Sequence, residues 1–328
     1  MRTRATRRGL QLTELGLGAA QFGNLYRETS DEQAAGAVAA AWDAGIRYFD
    51  TAPHYGLGLS EQRLGPLLSG YTRDEYLVSS KVGRLLVDSP ELAGRQDDEG
   101  FAVPANKRRA WDFSRDGILR SLESSLERTG LDSLDIVYLH DPDDHLEQAL
   151  GEGIQTLIDL REQGVVRAVG AGMKQSEALA ALIRAADIDL VMLAGRYTLL
   201  EQGAADDLLP LARERGVGVV IAGVYNTGLL SSARPTAGAK YEYEDAPFEL
   251  VARANAIADV CERYDVTLPE AALAFPLLHP AVVSVVVGVR DATQVTSNVE
   301  RYSKPIPADL WTELRAESLL PDSSHRNA

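Results

Sequence analysis

The chain has 328 residues and a formal net charge of −15, with 45 % apolar and 25 % charged residues, the composition of a globular protein rather than a disordered one. The negative balance argues against nucleic acid as a partner, because phosphate contacts need clustered Lys and Arg. No run nears the roughly 18 apolar residues of a membrane span, and a single cysteine, Cys261, excludes a disulfide framework or thiolate cluster. The basic stretch Met1–Leu10 is not followed by an apolar signal-peptide core, so a soluble cytoplasmic protein is expected.

Short β-branched runs alternate with stretches of helical spacing along the chain. Strands are expected at Leu15–Ala20, Ile46–Thr51, Tyr76–Val82, Asp135–His140, Val166–Gly172, Leu190–Gly195, Val217–Gly223 and Val282–Gly288. The helices that follow them are expected at Asp31–Ala44, Ser60–Leu68, Ser114–Thr129, Leu146–Gln163, Ser176–Ala185, Ala204–Arg215, Phe248–Tyr264 and Thr293–Glu300. Ser30 or Asp31, Ser60, Ser114 and Ser176 stand where N-caps belong. The strands are near-continuous apolar runs, as when both faces are buried. Eight such units predict an α/β fold, a (β/α)8 TIM barrel, with residues 1–328 as one domain.

The longest connections are Gly83–Phe113, after the third strand, and Val224–Pro247, after the seventh. Both leave C-terminal strand ends, the face where barrel enzymes build their sites. The first is expected to shape a substrate pocket and the second to close over a ligand. The tails Met1–Arg8 and Asp322–Ala328 are expected to fray.

Three strands end in an ionisable residue: Asp50, Lys81 and His140. Neighbouring strands of a parallel barrel lie about 4.8 Å apart, so these side chains should meet on one rim, with Tyr55 contributed by the adjoining loop. A lysine beside a carboxylate stays charged, and a cation beside a phenol favours the phenolate. Such a tyrosine can act as general acid or base, and a neutral imidazole can hydrogen-bond a substrate oxygen. His140 and His145 flank three aspartates, but Pro142 breaks the segment, and no metal site is expected.

The segments Asp50-Thr51-Ala52-Pro53-His54-Tyr55-Gly56, Ser79-Ser80-Lys81-Val82 and Asp135–His140 resemble the aldo-keto reductase superfamily. The resemblance implies an NAD(P)-dependent oxidoreductase with a catalytic tetrad. Tyr55 would be the general acid/base, Lys81 would lower its pKa, Asp50 would hold Lys81, and His140 would orient the substrate oxygen. Trp111–Gly117, His140–His145 and Ala194–Leu200 are similar to the L-fucose dehydrogenase / D-threo-aldose 1-dehydrogenase group. That likeness implies oxidation of an aldose at C1 to a lactone. The alternatives are an aldehyde reductase or a pyridoxal 4-dehydrogenase-like enzyme, and a nucleotide-sensing barrel with little turnover.

No strand is followed by G-x-G-x-x-G, so a Rossmann site is not indicated. Val286–Arg290, with Gln294 and Asn298 on the next helix, resembles the family's adenosine-phosphate site, and Tyr225–Leu230 its pyrophosphate-covering loop. The implied cofactor contacts are Asp50, Met173, Lys174, Tyr225, Asn226, Gly228, Leu229, Gly288, Arg290, Gln294 and Asn298. Met173, Ala194 and Ala222 or Gly223 depart from the family's nicotinamide contacts, with Lys174, Arg196 or Tyr225 as substitutes. Gly288 stands where a lysine often meets a 2′-phosphate, leaving Arg290 for that role. NAD is slightly favoured over NADP. Trp111 and Arg196 are the candidate substrate contacts, and the oligomeric state is open.

Overall fold

The structure, a computed structural model, describes residues 1–92, 94–236, 238–242 and 244–321. Eight parallel strands close into a barrel: β1 (Leu15–Gly18), β2 (Tyr48–Asp50), β3 (Leu77–Val82), β4 (Ile136–His140), β5 (Ala168–Met173), β6 (Leu190–Ala194), β7 (Gly218–Ala222) and β8 (Val282–Gly288). β8 closes the ring on β1, with Val285 beside Leu15 and Gly288 beside Gly18. Side chains alternate between two apolar layers. Tyr48, Leu77, Ile136, Tyr138, Leu190 and Val220 fill the barrel interior. Phe49, Val78, Val137 and Val191 face the surrounding helices.

Helices lie close to where helical spacing predicts them, but of the expected N-caps only Ser30 and Ser114 cap; Ser60 lies inside its helix, where it donates to the Ala19 carbonyl, and Ser176 is the first residue of its own. Ser30 and Gln33 form a reciprocal capping box at the start of Asp31–Asp43, and Ser114 caps Arg115–Thr129. Three departures have local causes. The expected helix Leu146–Gln163 is interrupted by a π turn at Ala149–Gly153, where the two glycines lower helix propensity. Helices Leu268–Ala274 and Ala308–Ala316 are additional. The first opens with a Thr267–Glu270 capping box; both are short, and their periodicity is weak.

The N-terminus does not fray where Met1–Arg8 was expected to. Thr3–Ala5 pairs with Gln11–Thr13 in a hairpin beneath the barrel, and Leu10 and Leu12 plug its interior. The basic residues are the fasteners. Arg2 and Arg4 bond Glu14 at 2.8 and 2.7 Å, Arg4 reaches the Val282 carbonyl at 2.8 Å, and Arg8 bonds Asp189 at 2.6 Å. The segment Asp322–Ala328 lies outside the described residues. No helix among the described residues is long and apolar enough to cross a membrane.

The long connection after β3 carries an antiparallel hairpin, Arg84–Asp88 against Lys107–Trp111, with Arg84 opposite Trp111. The one after β7 carries a smaller pairing, Lys240–Tyr241 against Glu244–Asp245. Both stand over the C-terminal mouth.

Candidate active site

The ends of β2, β3 and β4 bring Asp50, Lys81 and His140 to one rim, all three buried. Tyr55 arrives from the turn after β2. That turn is fixed by a backbone contact too close for side chains: a Cβ on Gly23 would lie 2.5 Å from the Tyr55 carbonyl carbon, and Gly56 has φ +63°. Leu57, Phe101 and Val103 form a small apolar cluster against Tyr55.

Lys81 Nζ donates to Asp50 Oδ2 at 2.7 Å, to the Thr51 carbonyl at 3.0 Å and to Tyr55 Oη at 3.1 Å. The other Asp50 oxygen accepts from Ser79 Oγ at 2.7 Å. Ser79 in turn meets Tyr48 at 3.0 Å, and Tyr48 meets Tyr138 at 3.2 Å. A continuous polar chain therefore runs from the barrel interior to the phenol, satisfying groups whose burial would otherwise be costly. The sequence marks Tyr48 and Tyr138 only as strand residues; their period-two spacing to the strand-end polar groups Asp50 and His140 is the one signal it carries.

Burial works against the Lys81 charge, but Asp50 and Tyr55 outweigh it and raise its pKa, so the ammonium persists. Burial also raises the Tyr55 pKa; Lys81 pulls it down but does not prevail, and the net direction is upward from the ordinary 10.0. Lys81 thus acts in the expected direction, but desolvation is the larger effect. Burial, with Arg84, Lys81 and His54 nearby, pushes His140 well below 6.5, so its imidazole is neutral at neutral pH. The His140 and Tyr55 ring centroids lie 6.0 Å apart.

The β3 hairpin adds residues that sequence reading missed. Arg84 and Arg109 are buried beside His54, and Arg84 pairs with Asp141. Arg109 bonds His54 Nδ1 through Nε at 2.7 Å and grips Asp97 with two nitrogens. Trp111 is 40 % exposed, at the lip of the mouth. Its ring has Arg84 5.1 Å away and His145 stacked at 6.3 Å.

The expected cofactor contacts fall into two groups. Around the mouth, Asn226, Thr227 and Gly228 all have positive φ, and Asn226 Oδ1 is buried without a partner while its amide nitrogen bonds the Gly195 carbonyl at 3.1 Å. Gln21 Oε1, packed against exposed Gly288, is likewise buried and unpartnered. Tyr225 bonds Asn298 at 2.8 Å, and Arg301 bonds Tyr225 at 3.2 Å. The open amide oxygens of Gln21 and Asn226 are acceptors and suit the carboxamide or amino N–H groups of a nicotinamide dinucleotide.

The other group points elsewhere. Met173 and Leu229 are buried in the layer between strands and helices. Lys174 and Arg196 both bond Glu242 of the β7 connection, at 2.6 and 2.9 Å. Arg290 does not face outward to a phosphate. Its guanidinium donates to the carbonyls of Leu25, Arg27 and Glu28 and to Thr29 Oγ1, because the Leu25–Thr29 turn presents its acceptors there. Gln294 accepts the Arg290 backbone N–H at 2.8 Å.

Residues 14–318 match the Aldo/keto reductase family model. The chain is similar to a D-threo-aldose 1-dehydrogenase of Pseudomonas sp., 50 % identical over 95 % of this chain and 96 % of that one. It is also similar to a pyridoxal 4-dehydrogenase of Microbacterium luteolum, 40 % identical over 96 % of each chain. The holo form of an aldo-keto reductase from Bacillus halodurans superposes with a TM-score of 0.75 at 27 % identity, covering all of both chains. A closed parallel barrel, a buried Asp–Lys–Tyr relay at its mouth and this family match lead to one assignment: the chain belongs to the aldo/keto reductase family and is an NAD(P)-dependent oxidoreductase acting on a small molecule.

Proposed function

We propose that this single barrel domain is a cytoplasmic aldose 1-dehydrogenase that takes NAD in preference to NADP. The observation that carries the reading is the Asp50–Lys81–Tyr55 relay beside a neutral His140, together with half-identity to a D-threo-aldose 1-dehydrogenase.

In the oxidative direction the C1–H and O–H bonds of the sugar break and a C=O bond forms. A bound nicotinamide supplies the hydride acceptor. Tyr55, as phenolate, takes the hydroxyl proton. Lys81 stabilises that phenolate, and Asp50 holds Lys81 against it. His140 offers an N–H to the reacting oxygen, fixing its distance from Tyr55. Because burial raises the Tyr55 pKa, the phenolate gains population as pH rises. Oxidation is therefore expected to quicken toward alkaline pH, and reduction, which needs the phenol, to be favoured at neutral pH.

Three features support NAD. The Arg290 donors are spent on backbone acceptors. Asp291 caps the helix Ala292–Ser303 through Gln294 N at 3.0 Å, placing a carboxylate where a 2′-phosphate would look for cationic partners. Gly288 offers no side chain.

The test is a panel of aldoses with NAD and with NADP, followed by the near-ultraviolet absorbance of reduced nicotinamide. Turnover of an aldose, greater kcat/KM with NAD, and loss of roughly 10²–10⁴-fold in kcat in Tyr55→Phe with cofactor binding intact are expected. No aldose turnover, or a Tyr55→Phe variant that keeps most activity, overturns the reading. Pyridoxal belongs in the panel because of the second relative.

A further inference from the structure

His54 stands beside the relay without belonging to it, and its two ring nitrogens are in different situations. Nδ1 faces the β3 hairpin: Arg109 Nε lies 2.7 Å away and Arg84 Nη1 3.4 Å away. Arginine has only N–H donors, so Nδ1 must accept and cannot itself carry a proton in this arrangement. Glu99 Oε2 is 3.7 Å from Nδ1, outside bonding reach. The ring proton of a neutral imidazole therefore resides on Nε2. No hydrogen bond from Nε2 is made within the described residues. The ring stands 5.8 Å from Tyr55 and 5.5 Å from His140, edge-on to both, so it shares the space into which the phenol and the His140 imidazole open.

Arg109 cannot easily move away. Asp97 grips it with both oxygens, the pair having side chains only 3 % exposed, and its Nη2 also bonds the His54 carbonyl at 3.0 Å. The guanidinium thus fixes both the backbone and the ring of one residue. Protonation of the ring is opposed by burial and by Arg84, Arg109 and Lys81.

We propose that His54 is a specificity-determining residue, a fixed Nε2–H donor that reads a hydroxyl next to the reacting carbon, with Arg109 its positioning residue and Asp97 the anchor of Arg109. Two neutral imidazoles then divide the substrate: His140 holds the reacting oxygen and His54 its neighbour. A substrate lacking the neighbouring hydroxyl leaves this donor unsatisfied, which a site built around hydrogen bonds penalises. The inference deepens the aldose dehydrogenase reading and rests on it for the substrate, but not for the tautomer.

Two measurements test it. In the whole protein, 15N NMR of the histidine rings, with the His54 signals identified by their loss in His54→Gln, is expected to show a bare Nδ1 and a protonated Nε2; a protonated Nδ1 overturns the proposal. The second measurement compares kcat/KM for an aldose and its 2-deoxy analogue. The wild type is expected to prefer the aldose by roughly tenfold, the worth of one hydrogen bond. That ratio should fall to near one in His54→Phe, survive in part in His54→Gln, whose amide can still donate, and shrink in Arg109→Lys, mainly through KM. Cofactor affinity should not change. An equal ratio in the wild type and His54→Phe overturns the proposal. If no aldose is turned over, the functional reading fails by itself, and reduction of lactaldehyde against propanal, which differ only in the hydroxyl next to the carbonyl, replaces the sugar pair with the same two outcomes.

Discussion

The two ends of the barrel follow different rules in the main, although the base also leaves Arg73 Nε buried without a partner. At the base, charged side chains are matched to buried partners: Glu14 receives Arg2, Arg4 and the Tyr302 hydroxyl, while Asp189 receives Arg8 and Arg161. At the mouth, Gln21, Arg84, His140 and Asn226 each keep a buried polar atom without a partner, and three successive residues hold left-handed backbone. Unsatisfied polar atoms and positive φ cost free energy that a protein retains where a ligand uses it. One end contributes rigidity, and the other holds open valences.

The contrast is sharpest at Lys81, where both rules meet. Lys81→Met should cost about 3–5 kcal/mol in chemical denaturation, because Asp50 is left buried and unpaired. It should also move the alkaline limb of the oxidation profile to higher pH, since Lys81 is what pulls the Tyr55 pKa down against burial. An unchanged pH profile would break the assigned role while leaving the structural one.

Glu14→Gln sharpens the comparison from the other side. About 1–3 kcal/mol of stability should be lost with kcat and KM intact. Burial pushes the Glu14 carboxyl up, but Tyr302, Arg4 and Arg2 together hold it below its ordinary 4.5. Its contribution is therefore full above that value and is lost as pH falls through the depressed native value, so the variant and wild type should converge in stability in acid. A fall in turnover at neutral pH would show that the two ends are not independent.

The smallest effect is expected at Glu242→Gln. Its pairs with Lys174 and Arg196 are partly exposed and worth about 0.2–1 kcal/mol each. Loosening the β7 connection should raise the cofactor Kd by a few-fold in fluorescence titration. An unchanged Kd would remove that connection from the binding of the dinucleotide.

The barrel was legible because parallel strands buried on both faces leave long apolar runs that chain order preserves. The relay was legible because three strands end in ionisable residues at the same level. What escaped was direction. Arg290 reads as a phosphate partner until the Leu25–Thr29 turn is seen to offer it carbonyls. Arg84 and Arg109 sit in a hairpin whose second strand, Lys107–Trp111, is too polar to declare itself. Met1–Arg8 reads as a loose basic tail because its partners do not show in its own sequence: Glu14 meets it only through the hairpin, and Asp189 lies 181 residues from Arg8.

The pairing of β8 with β1 has a consequence for biosynthesis. Leu15 waits for Val285, and Arg4 for the Val282 carbonyl. At translation rates of about 5–20 residues per second, the nascent polypeptide exposes one unpaired margin of its first strand for roughly 15–50 s. A bare strand margin invites association with other chains. Expression of soluble protein should accordingly be more sensitive to lesions in the last strand than to equal lesions midway, and most responsive there to chaperone supply.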